Sequence, residues 1–201
     1  MTMQTIDLSR SVPEGQFATA ARLYCEALQV KLKLFMGPPD RAARVLATGL
    51  RPDRAIVALR DGEVVGIAGF KLDGTGLFEP PVSAFTREYG TFSGVIRMLG
   101  LGLLERSETA GQLLMDGIAV SESARGQGIG SRLLTAIIAL AEERRVDAVR
   151  LDVIDTNPRA RVLYERFGFI AQKTSQLGPF RLLFPFSAST EMIRPVRARS
   201  E

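Results

Sequence analysis

A strand, a glycine-rich turn, an amphipathic helix and a second strand follow one another between residues 113 and 154. Leu113–Val120 and Ala148–Ile154 have the apolar character of strands, and Ser131–Arg145 repeats apolar residues at helical intervals. Strands and helices that alternate in this way are typical of an α/β sheet with helices packed on its faces. This segment therefore predicts the centre of an α/β domain.

A hairpin is predicted before this unit. Ala55–Leu59 and Val64–Phe70 are apolar runs separated by Asp61-Gly62, a strong signal for a tight turn between two strands. The other predicted elements are strands at Gln4–Leu8, Phe169–Thr174 and Thr190–Arg194, and helices at Pro13–Leu28, from after Asp40 to Gly49, and from Pro158 to near Gly168.

Residues 71–112 follow no simple pattern until Phe92, after which apolar residues recur at helical intervals as far as Leu104. Because these residues cover much of the helix, it is either buried or covered by a partner. Core packing and a surface for a homodimer or an acceptor both remain open. We expect one domain over residues 1–201 with an atypical helical insertion at about 71–112.

Composition excludes several kinds of chemistry. The chain has no histidine and only Cys25, which excludes Ser-His-Asp and Cys-His catalysis and argues against a metal site. The net charge of +4 comes from scattered residues, so we expect no nucleic-acid partner. Val95–Leu104, the longest apolar stretch, is shorter than the ~20 residues of a membrane span. No signal peptide is visible, and we predict a cytoplasmic protein.

The turn before the central helix is suited to binding phosphate. Glycines at 126, 128 and 130 allow tight bending and close approach of the backbone, and a helix start offers free N–H groups. A dinucleotide-binding motif is excluded because Ser131 and Leu133 stand where it needs glycine, and a P-loop is excluded because the turn has no lysine. A merely flexible connection is the alternative.

Two blocks of sequence resemble one family. Arg125-Gly126-Gln127-Gly128-Ile129-Gly130 is similar to the R/Q-x-x-G-x-G/A pyrophosphate-binding motif of the GNAT superfamily of acyl-CoA-dependent N-acetyltransferases. The second block, L-x-V…N…A…LYE…GF, is matched by Leu151–Val153, Asn157, Ala160 and Leu163–Phe169. The resemblance implies a mixed, mostly antiparallel central sheet with a splayed parallel strand pair and helices on both faces. Residues 71–112 depart from the family pattern, which connects these strands by a short turn.

The resemblance also implies how acetyl-CoA is held. The backbone of Ile118, Ala119 and Val120 would pair with the pantetheine arm, and Asn157 would contact the same arm or simply cap its helix. The remaining cofactor-binding residues would surround the pyrophosphate and are Arg125, Gly126, Gln127, Gly128, Ile129, Gly130 and Ser131. Arg132 could add a charge-assisted contact.

Tyr164 matches the family tyrosine that protonates the leaving thiolate, although a lone tyrosine on a helix is more often core packing. Asp116 is the candidate general base, because an acidic group placed among Leu114, Ile118 and Val120 on one strand face needs a partner or a purpose. A buried ion pair with an arginine is the alternative. An amide near Ala119 or Val120 would stabilise the oxyanion.

The acceptor is expected to be a primary amine of a small molecule or a peptide, contacted by Leu32–Gly37 between the first two helices and by the final loop, Leu177–Phe186. The sequence does not indicate which amine. A non-catalytic acyl-CoA sensor and a nucleotide-phosphate binder without acyl chemistry are the alternative functions.

Overall fold

A seven-stranded sheet forms the centre of the protein. The structure, a computed structural model, describes residues 5–102, 109–178 and 182–196. The strands are β1 (Ile6–Ser9), β2 (Ala55–Arg60), β3 (Glu63–Lys71), β4 (Gln112–Val120), β5 (Ala148–Ile154), β6 (Ile170–Gln176) and β7 (Ala188–Pro195). Their order is β1-β2-β3-β4-β5-β7-β6, and every neighbouring pair is antiparallel except β4 and β5. The predicted mixed sheet with one parallel pair is therefore confirmed.

Helices cover both faces of the sheet. They are α1 (Phe17–Ala27), α2 (Gln29–Met36), α3 (Pro39–Ala47), α4 (Val82–Tyr89), α5 (Thr91–Gly102), α6 (Ile129–Glu143) and α7 (Pro158–Arg166). Ile56 and Ala58 pack in the cluster that contains α6, whereas Ala55 and Val57 pack in the cluster that contains α1. Because successive side chains of a strand point to opposite faces, a strand covered on both sides is apolar at consecutive positions, as β2 is.

The predicted hairpin is confirmed at β2 and β3. Asp61 and Gly62 both have positive φ, 52° and 84°, as a type I′ turn requires. α6 begins at Ile129, two residues earlier than predicted, because Gly128 adopts the left-handed conformation (φ 73°, ψ 6°) and caps the helix. Gly130 consequently lies in the first helical turn rather than in the loop.

α2 is a helix where the sequence indicated only a segment between helices. Its sequence lacks a capping side chain and a clear amphipathic pattern, so local signals do not define it. Packing against α5 defines it instead, because the aromatic ring of Phe35 lies so close to Gly100 that a Cβ there would overlap the ring. Tertiary contact here overrides weak propensity.

The insertion between β3 and β4 contains two helices, of which the sequence indicated only α5. Glu88 at the end of α4 accepts hydrogen bonds from Arg41 Nε (2.9 Å) and Arg44 Nη2 (2.7 Å) of α3. These guanidinium groups lower the pKa of Glu88 to about 2. The Tyr89 hydroxyl donates to the Met36 carbonyl at 2.6 Å. The insertion is thus fixed to the helical layer formed by α2 and α3.

The apolar side chains of α5 are not all core residues. Phe92, Ile96 and Leu99 are 81%, 53% and 63% exposed, so core packing is wrong for these three positions. Leu103 and Leu104 lie outside the described residues. None of the described helices combines the length and the apolar character that crossing a membrane requires.

Two glycines of α5 give a matched test of how the insertion packs. A Cβ on Gly94 would lie 2.6 Å from the Phe85 carbonyl oxygen of α4, whereas a Cβ on Gly102 would meet no described atom within 4 Å. We expect Gly94→Ala to destabilise the protein by about 1–3 kcal/mol, the usual cost of overpacking. Gly102→Ala should leave stability unchanged or slightly higher, because alanine favours helix. Urea unfolding measures both, and equal effects would contradict the close α4–α5 contact.

Candidate active site

A wedge opens between the two parallel strands. β4 and β5 pair from Gln112↔Ala148 to Met115↔Leu151. Beyond that point β4 stays paired with β3 as far as Val120, and β5 stays paired with β7 as far as Ile154. The strands therefore separate at residues 116 and 152, and their carboxyl ends form the two sides of the wedge.

The backbone of β4 offers hydrogen-bonding groups to this wedge. Ser121 N–H donates to the Val65 carbonyl at 2.9 Å, so residue 121 faces β3. Backbone groups of successive strand residues point to opposite edges, which turns Ala119 towards β3 and turns Ile118 and Val120 towards the wedge. Two of the three predicted pantetheine-binding residues thus have main-chain groups that face the opening, and Ala119 does not.

The glycine turn leads from β4 into α6. Gly126 (φ 77°) and Gly128 (φ 73°) have backbone conformations that favour glycine, and a Cβ on either would meet no described atom within 4 Å. Ile129 anchors the start of α6 on the sheet, because it is 2% exposed and packs on Gly66 of β3. The first-turn amides of α6, including those of Gly130 and Ser131, have no partner within the helix, as at any helix start, and the space beside Gly126 and Gly128 is open, as an anion site requires.

Two guanidinium groups lie beside the turn. Arg125 is largely exposed, and its Nε donates to the Val120 carbonyl at 3.3 Å. Arg60 Nη2, at the end of β2, donates to Gln127 Oε1 at 3.0 Å. Arg60 Nε is buried and has no hydrogen-bond partner among the described residues, so this group is poised for an anion. Sequence reasoning missed Arg60 because only the folded sheet brings it to the turn.

Arg132 has a different role in the structure. Its Nη2 donates to the Ile6 carbonyl at 2.7 Å, which ties α6 to the edge strand β1. The Gln127 side chain is similarly engaged, since its Nε2 donates to the Ser123 carbonyl at 3.4 Å. Both side chains therefore donate to backbone carbonyl groups of the protein.

Tyr164 lies on α7, beside the start of α6. A Cβ on Gly130 would come within 3.9 Å of Leu163, which places the two helices next to each other. Tyr164 is only 7% exposed and packs against Phe169 with ring centroids 5.9 Å apart. Burial raises the pKa of Tyr164 to about 12, and the phenol is protonated at neutral pH, as an ordinary tyrosine is. This protonation state is the one that a general acid needs.

Asn157 caps α7, because its Oδ1 accepts the Ala160 N–H at 3.2 Å. The helix-capping role that the sequence left open is therefore present. A contact between Asn157 and the pantetheine arm stays a prediction.

Asp116 occupies a β-bulge. The register passes from Gly69↔Gly117 directly to Phe70↔Met115, which leaves Asp116 as the extra residue on β4. The bulge shifts the alternation of side chains by one position. Met115, rather than Leu114, packs in the same cluster as Ile118, so the predicted face shared by Leu114 and Ile118 is wrong.

The bulge directs Asp116 into a cavity of about 680 Å³. Tyr24 also lines the cavity, and its pKa is raised mainly by burial and further by the negative charge of Asp116. Asp152, just beyond the residues of β5 that pair with β4, is another carboxylate in the lining. The cavity therefore begins where the two parallel strands separate.

The two segments predicted to contact the acceptor both reach this cavity. Leu32 contributes from α2, and Leu177 and Phe186 contribute from the final loop, although residues 179–181 of that loop lie outside the described residues. Met36 is instead buried among the helices. Sequence reasoning missed the wall that the insertion supplies through Leu77 to Pro80, since no local pattern placed it there.

A family model described as Acetyltransferase (GNAT) family matches residues 31–169, which is more than half of the chain. The chain belongs to the GNAT acetyltransferase family. The matched range contains the bulge, the glycine turn and Tyr164, so all three are parts of a GNAT domain. Acetyltransferases of this family use acetyl-CoA, which agrees with an anion-binding turn beside the wedge between β4 and β5. We call this turn, residues 126–131, the glycine cradle.

Solved structures show the same GNAT fold. An acetyltransferase of known structure is 24% identical with a TM-score of 0.63, and the match covers 95% of this chain and 100% of that one. An N-acetyltransferase from Staphylococcus aureus Mu50 is 16% identical with a TM-score of 0.62, covering 96% and 99%. A chain of the NatC complex bound to Gag peptide and CoA is 18% identical with a TM-score of 0.56, also covering 96% and 99%.

Among residues 5–102, 109–178 and 182–196, no group of three or more His, Cys, Asp or Glu side chains is placed to hold a metal ion. That the reaction needs no metal stays a prediction from composition.

Proposed function

We propose that this protein is an N-acetyltransferase that moves the acetyl group of acetyl-CoA directly to a primary amine. One observation carries the proposal: β4 separates from β5 where a cavity with carboxylates begins, and it then runs on to the glycine turn at the start of α6. The cradle fits a diphosphate, because its positive-φ glycines leave the space beside them open and Arg60 Nε is buried without a partner among the described residues.

The chain's own groups would hold acetyl-CoA along the end of β4 and the glycine cradle that follows it. The amides of residues 126–131 would donate to the pyrophosphate, and Arg60 and Arg125 would add charge. The wedge-facing main chain of Ile118 and Val120 would pair with the pantetheine amides as a strand does. Bound in this way, acetyl-CoA would supply the activated thioester beside the cavity.

The reaction would then need two proton transfers. The amine nitrogen attacks the thioester carbon, and its proton passes to Asp116, directly or through a water molecule. The oxyanion is stabilised by a wedge-facing amide, that of Val120 or Ile118. As the carbon–sulfur bond breaks, the thiolate takes a proton from the buried phenol of Tyr164. Asp116 then loses its proton to solvent and Tyr164 regains one from solvent, which restores both groups for the next turnover. No covalent enzyme intermediate is involved, and buried Cys25, whose pKa burial raises to about 12, is unsuited as a nucleophile.

Release of free thiol from acetyl-CoA in the presence of a panel of primary amines tests this function. We expect amine-dependent release and an N-acetylated product that mass spectrometry identifies. Tight binding of acetyl-CoA without release for any amine would instead favour the non-catalytic sensor.

Asp116→Asn tests the general base. We expect kcat at neutral pH to fall by about 10²-fold, the lower end of acid–base contributions. The difference from the wild type should narrow at higher pH, where more of the amine is already neutral. Asp152→Asn is the matched control, because Asp152 is the other carboxylate of the cavity that lies where the strands separate. It should mainly raise KM for the amine. A D116N variant with unchanged kcat across the pH range would contradict the assignment.

The remaining partners follow from the same proposal. We expect a small-molecule or peptide amine as acceptor, no nucleic acid and no membrane. A homodimer would form through the exposed residues of α5, and sedimentation would detect it. A cytoplasmic location rests on the single cysteine of the chain.

A further inference from the structure

The cavity that begins at the wedge has mainly apolar walls. α1, α2 and α3 contribute Leu28, Leu32 and Leu46, and the insertion contributes residues such as Leu77 and Met98. A volume of about 680 Å³ is within the range of sites that enclose a whole small molecule. An acceptor that filled this space would therefore bury an apolar body and not only an amino group.

The polar end of the cavity lies where β4 and β5 separate. Asp116 and Asp152 stand on the two sides of that point. Ser189 of β7 pairs with Ile154 of β5 and lines the same cavity. Ser189 is 6% exposed, and its Oγ has no hydrogen-bond partner among the described residues. A buried hydroxyl without a partner is unfavourable, so a ligand N–H at this position would satisfy it.

The charges that line the cavity favour a singly charged cation. Three carboxylates, those of Glu79, Asp116 and Asp152, and two ammonium groups, those of Lys31 and Lys71, line the cavity, and Glu79 also pairs with Arg51 at 3.5 Å. Of the three carboxylates, Asp116 and Asp152 are the ones that lie where the strands separate. An amine with one positive charge suits this end of the cavity, whereas the carboxylate of an amino acid would bring a like charge to it.

We infer that the acceptor is an amphipathic monoamine whose amino group lies among Asp116, Asp152 and Ser189 and whose apolar body fills the space enclosed by the insertion. This inference rests on the proposed function and names its substrate class. The atypical insertion is then the element that selects the acceptor. The amino group would stand at the wedge, where the thioester carbon is expected, and the apolar body would point away from the cofactor.

Four commercial amines test the inference as acceptors for thiol release. n-Butylamine and n-octylamine have the same amino group and nearly equal basicity but different apolar length. We expect kcat/KM to rise by about tenfold or more from the shorter to the longer amine, because each buried methylene favours binding. Phenethylamine should likewise be a better acceptor than phenylalanine, which adds a carboxylate to the same body.

Ser189→Ala tests the polar end. Removing a hydroxyl that lacks a partner should leave the melting temperature unchanged or higher, yet raise KM for n-octylamine by about fivefold, the effect of one lost hydrogen bond. Ser83→Ala is the control, because Ser83 is exposed on α4 and does not line the cavity. A merely structural role for Ser189 would lower the melting temperature and leave KM unchanged, which would overturn its assignment.

Failure of this inference and failure of the proposed function give different results. Thiol release that is equally fast with n-butylamine and n-octylamine would overturn the amphipathic acceptor and leave the acetyltransferase intact. Leu32 lines the cavity and is only half-buried, so Leu32→Trp narrows the cavity without replacing a fully buried side chain. Calorimetric binding of n-octylamine that is lost in a Leu32→Trp variant of wild-type melting temperature, without release from acetyl-CoA, would support the cavity assignment and overturn the transfer reaction. Neither binding nor release with any amine would overturn both.

Discussion

Replacing Tyr164 by phenylalanine is expected to lower kcat by about 10²–10³-fold, within the range of general acid catalysis. The ring stays in place, because Tyr164 is buried and packs on Phe169, so only the hydroxyl group and its proton are lost. The affinity for acetyl-CoA should remain nearly that of the wild type. Steady-state thiol release and calorimetry measure the two quantities separately.

The pH dependence gives a second readout for Tyr164. Since burial raises the pKa of this phenol to about 12, it stays protonated throughout the range in which enzymes are assayed. The wild-type kcat should therefore show no descending limb from Tyr164 up to about pH 10, the pKa of an ordinary tyrosine. Tyr89→Phe is a control that removes a hydroxyl bonded to Met36 and should affect stability rather than kcat. Loss of acetyl-CoA binding in the Y164F variant would contradict a purely chemical role.

Replacing Gly128 by valine is expected to weaken coenzyme A binding by about 10–100-fold. The left-handed conformation at this position costs an L-residue roughly 1–2 kcal/mol, and more for a β-branched side chain. The added side chain would also occupy the open space beside the first-turn amides of α6. Both effects act on the cradle rather than on Tyr164, so KM for acetyl-CoA should rise.

Gly15→Val is the matched control for this substitution. Gly15 has a φ of 82° and equally open surroundings, but it precedes α1 and is not part of the cradle. We expect it to lose a comparable amount of stability and to bind coenzyme A normally. Equal loss of binding in both variants would show that general strain, and not the cradle, is responsible.

Local patterns predicted the parts of the site that neighbouring residues define. The Asp61-Gly62 turn fixed the hairpin because its backbone conformation is a property of those two residues. The glycine turn was equally readable, since positive φ at Gly126 and Gly128 has a local cause. The parallel strand pair followed from the family resemblance of the segments on both sides of α6.

Long-range packing created what the sequence did not predict. The bulge at Asp116 depends on how β3 and β4 pair, and it reversed the predicted alternation of faces. Arg60 reaches Gln127 across 67 positions of sequence, and Ser189 is brought to the cavity only through the β5–β7 pairing. Such contacts leave no periodic signal, because the partners are distant in the chain.

A calorimetric titration of coenzyme A, NAD and ATP into the unmodified protein tests the central claim most directly. The cradle, the wedge-facing amides of β4 and the family membership predict one coenzyme A per chain and much weaker binding of NAD and ATP, which lack a pantetheine arm. No heat with coenzyme A, or equal affinity for all three ligands, would contradict the account.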